Sequence, residues 1–192
     1  LSRNYVKGQP RRVSKPGGND KFTKQHDLLI CNAAHNKSYI GRDVTYYHSE
    51  TPVLPSTEVM VMRVDRDQIP ASYVRTYLLS RLGFVQIQST IRGITAHSYP
   101  TDIKKLDVPI PEVSDALKHE WFACDEKMAL AGDASEFASK LTSAAKTIVE
   151  ALIEGVITEQ QLIDANKALD ADDASLDRDI LARLTTKGLD GD

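Results

Sequence analysis

The stretch Leu106-Asp107-Val108-Pro109-Ile110-Pro111-Glu112-Val113 separates two kinds of chain. Before it, apolar residues come in short, partly β-branched runs bounded by polar loops, so residues 27–32 and 57–64 read as strands and the alternating residues 84–89 as a third. Residues 72–82 carry Val74, Leu78, Leu79 and Leu82 on a helical stripe, with Pro70 near the start and Gly83 where a left-handed cap belongs. Residues 106–110 form a last short strand closed by Pro111. Beyond Pro111 the period lengthens to that of a helical seam: Val113, Leu117, Trp121, Cys124, Met128 and Ala131 recur at spacings of three and four. Gly132 is expected to interrupt this helix, with Asp133 and Glu136 as a capping pair for the next. That second helix, over residues 134–154, carries Phe137, Leu141, Ala144 or Ala145, Ile148 and Leu152 before Gly155 ends it. Thr158 with Gln161 caps a third helix bearing Leu162, Ile163 and Leu169. Leu176, Ile180, Leu181 and Leu184 mark a fourth, stopped at Gly188. The fold class expected is α+β: a mixed α/β domain over residues 1–111, then an all-helical region over residues 112–192 with long coiled-coil-like helices.

Charge divides at the same place. The chain of 192 residues has a formal net charge of -3, yet residues 1–111 hold 16 Lys+Arg against 9 Asp+Glu, and residues 112–192 hold 8 against 18. A basic half suits a polyanion such as nucleic acid, and an acidic helical half suits protein contacts or solubility. Attraction between the two halves would produce the same asymmetry. No apolar run approaches the eighteen or so residues of a membrane span, and the basic, Gly/Pro-rich start lacks the apolar core of a secretory signal, so a cytoplasmic protein is expected, with no membrane partner. Cys31 and Cys124 then read as reduced, buried small hydrophobes. A chain opening on Leu1 suggests a processed product or a fragment.

Catalytic signatures are missing from this sequence. It has no phosphate-cradling glycine loop before Lys-Ser or Lys-Thr, no Asn/Asp-Pro-Pro-Tyr/Phe motif for a target amine, and no glycine-rich methyl-donor loop. Cys31, His35 and nearby His26 lack the second ligand pair that a structural zinc site needs, so no metal is expected. Asp125-Glu126-Lys127 holds nuclease-like residue types but reads as a solvated helix face. The inventory instead suits duplex recognition. Arg11, Arg12, Lys15, Lys37, Arg42 and Arg92 can neutralise phosphates or fork onto guanine edges. Asn19, Asn32, Asn36 and glutamines can pair with adenine edges, and Tyr39, Tyr46, Tyr47 and His48 interleave with the charge.

The residues Ser89-Thr90-Ile91-Arg92-Gly93-Ile94-Thr95-Ala96-His97-Ser98-Tyr99, with Asp102-Ile103-Lys104-Lys105-Leu106-Asp107-Val108-Pro109-Ile110-Pro111, resemble the end of a target recognition domain in type I restriction-modification specificity subunits. His26-Asp27-Leu28-Leu29-Ile30 and Ile40-Gly41-Arg42 are similar to that family's Asp-Leu-Leu strand and Gly-Arg turn, and residues 73–83 to its Tyr/Leu-rich helix. Residues 145–158 are similar to the end of its spacer helix. The family carries two recognition domains separated by long antiparallel helices, each domain reading half of a split DNA site, with methyltransferase subunits clamped on the helices. This chain has one domain and one helical region, as a C-terminal fragment or a half-length, dimerising subunit would.

The resemblance implies a non-catalytic specificity subunit of a type I restriction-modification system, one that binds double-stranded DNA. Its partners would be DNA methyltransferase subunits, a restriction/translocase subunit and a second copy of the chain. S-adenosylmethionine, ATP and Mg would belong to those partners, with no cofactor in this chain. Arg92, Thr95, His97, Lys104 and Lys105 would lie along the sugar-phosphate backbone. Base reading would fall to the loops bearing Arg11, Arg12, Lys15, Asn19, Asn36, Lys37, Tyr39, Arg42 and Tyr47. The seam of Leu117, Trp121, Met128, Phe137, Leu141, Ile148 and Leu152 would pack helix on helix and dock the partners. Two other readings stay open: the recognition domain of a fused restriction-methyltransferase enzyme, and a homodimeric interaction protein without a nucleic-acid role.

Overall fold

The computed structural model describes residues 21–93 and 96–186. It is α+β: a small antiparallel sheet with short helices, followed by one long helix and two shorter ones. The chain forms two compact units, Leu1–Ala134 and Ser135–Asp192, so the division falls inside the long helix, whereas charge and period change at Pro111.

In the first unit, strand β1 (Leu28–Cys31) lies between β2 (Val44–Tyr46) and β3 (Val59–Met62), antiparallel to both, with Leu28 opposite Tyr46 on one side and Met62 on the other. A central strand covered on both faces needs an unbroken apolar run, and Leu28, Leu29 and Ile30 are all buried. Burying each such side chain contributes about 1.5–3 kcal/mol. Leu28 and Ile30, with Ile40, Tyr46, Val74, Leu78 and Ile87, make the core. Asp27, just before β1, is buried and holds Arg63, just after β3, through two bonds, Nε to Oδ1 at 2.9 Å and Nη2 to Oδ2 at 2.7 Å. This bidentate pair ties the two strands together and keeps the guanidinium more firmly protonated than usual.

Helix α1 (Ala71–Leu79) and helix α2 (Arg81–Ser89) meet at a corner capped by Ser80, whose side chain accepts from the Gly83 amide. Residues 84–89 are therefore helical, which corrects the strand reading. The alternation there is also compatible with a helix that buries Gly83 and Ile87, four residues apart. Gly83 is no left-handed cap: a Cβ at that position would sit 2.3 Å from the Tyr77 carbonyl oxygen, so glycine is required by the close corner between the helices. Residues 106–110 form no strand. They run beside α2, where the Gln86 side chain donates to the Asp107 carbonyl at 3.0 Å and accepts from its amide at 2.9 Å, in place of a neighbouring strand.

A one-turn helix, α3 (Pro100–Ile103), precedes α4 (Asp115–Ile153), a single helix of 39 residues. Gly132 does not interrupt it, and Asp133 and Glu136 lie within it. Glycine there serves packing, because a Cβ on Gly132 would come within 2.4 Å of the buried His48 ring. Trp121 stacks edge-on to Tyr73 at 5.1 Å and joins Met128 against the core of the first unit. Asp125 is fully buried, which corrects its reading as a solvated face, while its neighbours Glu126 and Lys127 are exposed. Its carboxylate accepts from the Ala71 and Ser72 amides at 3.0 and 2.7 Å and from Arg66 at 2.9 Å. Pro70 offers α1 no side-chain cap, so a carboxylate from α4 supplies one. Cys31 and Cys124 are free and half-buried, with their thiols bonded to backbone carbonyls.

Nearby, the Tyr46 hydroxyl donates to the Asp125 carbonyl, so His26 Nδ1 donates to the Tyr46 oxygen, and His26 Nε2 faces Glu126 at 3.6 Å. Burial, reinforced by Arg66, lowers the His26 pKa below 6.5 against the opposing pull of Glu126, Asp125 and Asp27. As pH falls, the unfolded chain takes this proton first. Stability should therefore drop below about pH 6.5 and level off beneath the folded-state pKa. His26 has φ +72°, a conformation asparagine tolerates. A His26→Asn variant should show a shallower loss of stability in chemical denaturation between about pH 7 and 5; an unchanged slope would remove His26 as the cause.

In the second unit α4 ends in a left-handed Gly155, with Val156 N–H bonded to the Ala151 carbonyl at 2.9 Å and Gly155 N–H to that of Leu152 at 3.2 Å. Thr158 and Gln161 form the expected capping box on α5 (Glu159–Asp170), and α6 (Ser175–Thr186) returns beside it. Ile148 and Leu152 pack against Ala151, Ile157, Ala165, Ile180 and Leu184, the core of this unit. The seam residues thus divide: Trp121 and Met128 face one core, Ile148 and Leu152 the other, and Leu117, Phe137 and Leu141 are exposed. Among the described residues no helix is long and apolar enough to cross a membrane.

Candidate nucleic-acid interface

Immediately after β1 the chain crosses into a second, two-stranded sheet, where β4 (Ala33–Ala34) pairs antiparallel with β5 (Ala96–His97). This pairing brings two loops together. One holds Asn36, whose side chain caps a single 3-10 turn, Lys37–Tyr39, by accepting from the Ser38 amide at 2.9 Å. The other is the turn at Gly93, with φ +85°, closed by paired backbone bonds between Arg92 and His97. Between them lies a solvent-open concavity of about 550 Å³, lined by His35, Asn36, Lys37, Gln88, Ile91, Gly93 and Ala96.

Further cations and flat rings lie along the same two loops and the segment that follows them. Arg42 lies over the half-exposed Tyr39 ring, 4.4 Å from its centre, and His97 stacks on Tyr99 with centres 6.3 Å apart. Arg92, mostly exposed, pairs with the buried Asp102 at 2.5 Å, and α3 then delivers Lys104 and Lys105 to the surface. Paired as they are with Asp102 and Asp43, the Arg92 and Arg42 guanidiniums keep a defined direction while remaining accessible.

The structure thus sets Asn36 and Lys37 beside the Gly93 turn, with Tyr39 and Arg42 further along the first loop; Arg92 and His97 flank the second, and Lys104 and Lys105 are exposed at the exit of α3. Tyr47 is not with them: it is buried, and its hydroxyl donates to the Thr51 carbonyl, so it braces its own loop. Tyr46 and His48 are likewise buried. Arg11, Arg12, Lys15, Asn19 and Thr95 lie outside the described residues. Gln88 had escaped the sequence reading because the strand assigned to residues 84–89 hid that α2 aims its last turn at the concavity. No side-chain spacing would have revealed it, since its partners lie 51 and 48 residues earlier.

Among the described residues no group of three or more His, Cys, Asp and Glu is placed to hold a metal ion. No known family model matches this chain, and a search of curated proteins finds no match either.

Proposed function

We propose that the chain is a DNA-binding specificity subunit, or a fragment of one, of a type I restriction-modification system, reading one half of a bipartite duplex site. The observation that carries this reading is the convergence of two short loops on one polar concavity lined by Asn36, Lys37 and Gln88, with Arg42 over the Tyr39 ring further along the first loop and Arg92 at the start of the second. Cations set on separate turns can follow a phosphate backbone, while the Asn36 and Lys37 loop offers donors and acceptors to base edges. The exposed Leu117, Phe137 and Leu141 on α4 support a second role, packing against helices of partner subunits. In this reading adenine methylation and ATP-dependent cleavage, with their S-adenosylmethionine, ATP and Mg, belong to methyltransferase and restriction subunits, and the complex works in the cytoplasm.

The phosphate role has a direct test. Lys104 and Lys105 are both exposed, so replacing them with Ala leaves the fold intact. The double variant should bind every duplex more weakly, and the slope of log K against log salt should become shallower by about 1.8, two lost phosphate contacts at about 0.9 each. Unchanged affinity for random duplex would remove both lysines from the interface.

A further inference from the structure

We infer that Gln88 is the positioning residue of the base-reading loop, holding residues 36–42 in the conformation that presents Lys37, Tyr39 and Arg42. The inference rests on the DNA-binding reading and deepens it. Gln88 sits on the last turn of α2, and its amide nitrogen donates to the Lys37 carbonyl at 3.0 Å and the Ile40 carbonyl at 2.7 Å. An amide nitrogen carries two hydrogens, so these two acceptors use both and fix the side chain's orientation.

The loop's own hydrogen bonds are short-range. Ser38 bonds to the Asn36 side chain, Tyr39 to Asn36, Ile40 to Lys37 and Arg42 to Tyr39, each spanning two or three residues. Such bonds shape a turn but do not place it on the scaffold. Placement comes from α2, through adjacent residues with different means. Ile87 packs against Gly41, so closely that a Cβ there would lie 2.5 Å from it, and Gln88 bonds the carbonyls of the first residue of the 3-10 turn and of the residue that follows it. Gly41 has φ +70°, which fixes the direction in which the chain leaves toward Arg42. Because Arg42 lies over Tyr39, a shift of the turn moves cation and ring together.

Base discrimination needs donors and acceptors held within a fraction of an ångström, whereas attraction to phosphates tolerates motion. Loosening the turn should therefore separate the two properties, because Lys104 and Lys105 stand on α3's exit and do not depend on Gln88.

The test uses Gln88→Met, which keeps length but cannot donate, with Gln88→Ser as a second variant should Met repack the site. Amide hydrogen exchange is followed in the free protein, and a random duplex library is selected with the complete chain. Faster exchange at residues 38–42 than at the core amides of β1 is expected, with a melting temperature lower by no more than a few degrees. Preference for the selected motif should fall about tenfold or more, the discrimination carried by one well-made base contact, while random-duplex affinity falls by clearly less because Lys104 and Lys105 keep their places. Unchanged loop exchange, or a mobile loop with full motif preference, would overturn the inference. Failure of the unaltered chain to bind any duplex would instead overturn the DNA reading, and loop exchange would still report whether Gln88 anchors the turn.

Discussion

Asp125→Ala should lower stability on the order of 3 kcal/mol, the combined loss of a helix cap and a charge-assisted pair, and drop the melting temperature by roughly 6–12 °C. The carboxylate is fully buried and serves two α1 amides and the Arg66 guanidinium at once. Removing it leaves two orphaned donors at the start of a helix whose N-cap is a proline with no side-chain bond to give. Arg66 is about a third exposed, with 38% of its side-chain surface open, and also reaches Glu126, so water takes over part of its solvation. Asp125→Asn keeps the shape and should lose less, because one amide oxygen can still cap. Calorimetry on the three proteins distinguishes these outcomes. A change within about 0.5 kcal/mol for the Ala variant, the range of an ordinary surface substitution, would mean that α4 is not seated on the sheet unit as described.

Gly132 carries the second large effect, and its sign is the informative part. A glycine inside an exposed helix costs about 1 kcal/mol relative to alanine, so Gly132→Ala would ordinarily stabilise. Here the added Cβ meets the His48 ring at 2.4 to 2.8 Å, and His48 is only 3% exposed and has no room to swing aside. Overpacking of this kind costs about 1–3 kcal/mol and should reverse the sign; Gly132→Leu should be worse. The double variant Gly132→Ala with His48→Ala should recover part of the loss, because the obstacle is gone. A stabilising Gly132→Ala with no coupling to His48 would contradict the contact.

The same residue explains where the sequence misleads. A glycine between two apolar seams reads as a helix break because propensity is all that sequence offers there, and the tertiary contact that selects glycine comes from a histidine 84 residues earlier. Asp125 shows the converse. It stands before Glu126 and Lys127 and looks solvated with them, yet it is the one of the three whose helical position faces the sheet unit. Elements defined by local chemistry were legible: the unbroken apolar run of β1, the Thr158 and Gln161 box, and the left-handed Gly155 each carry their cause within a few residues. Strand β2 was missed because Val44–Tyr46 is short and two of its three residues look polar or amphipathic, although all three are buried. In the candidate interface, residue types were legible and their grouping was not. Lys37 shares the concavity with Gly93 through a two-residue pairing of Ala33–Ala34 with Ala96–His97 and the hold of Gln88 on its loop, neither of which registers in any periodicity.

The central claim is that this chain reads DNA sequence, and selection from a random duplex library at low and at physiological salt tests it most directly. The account predicts enrichment of one short motif of about three to five base pairs, the size a half-site reader contacts, with affinity that falls as salt rises. Absence of duplex binding at both salts, or salt-sensitive binding with no enriched motif, would contradict it.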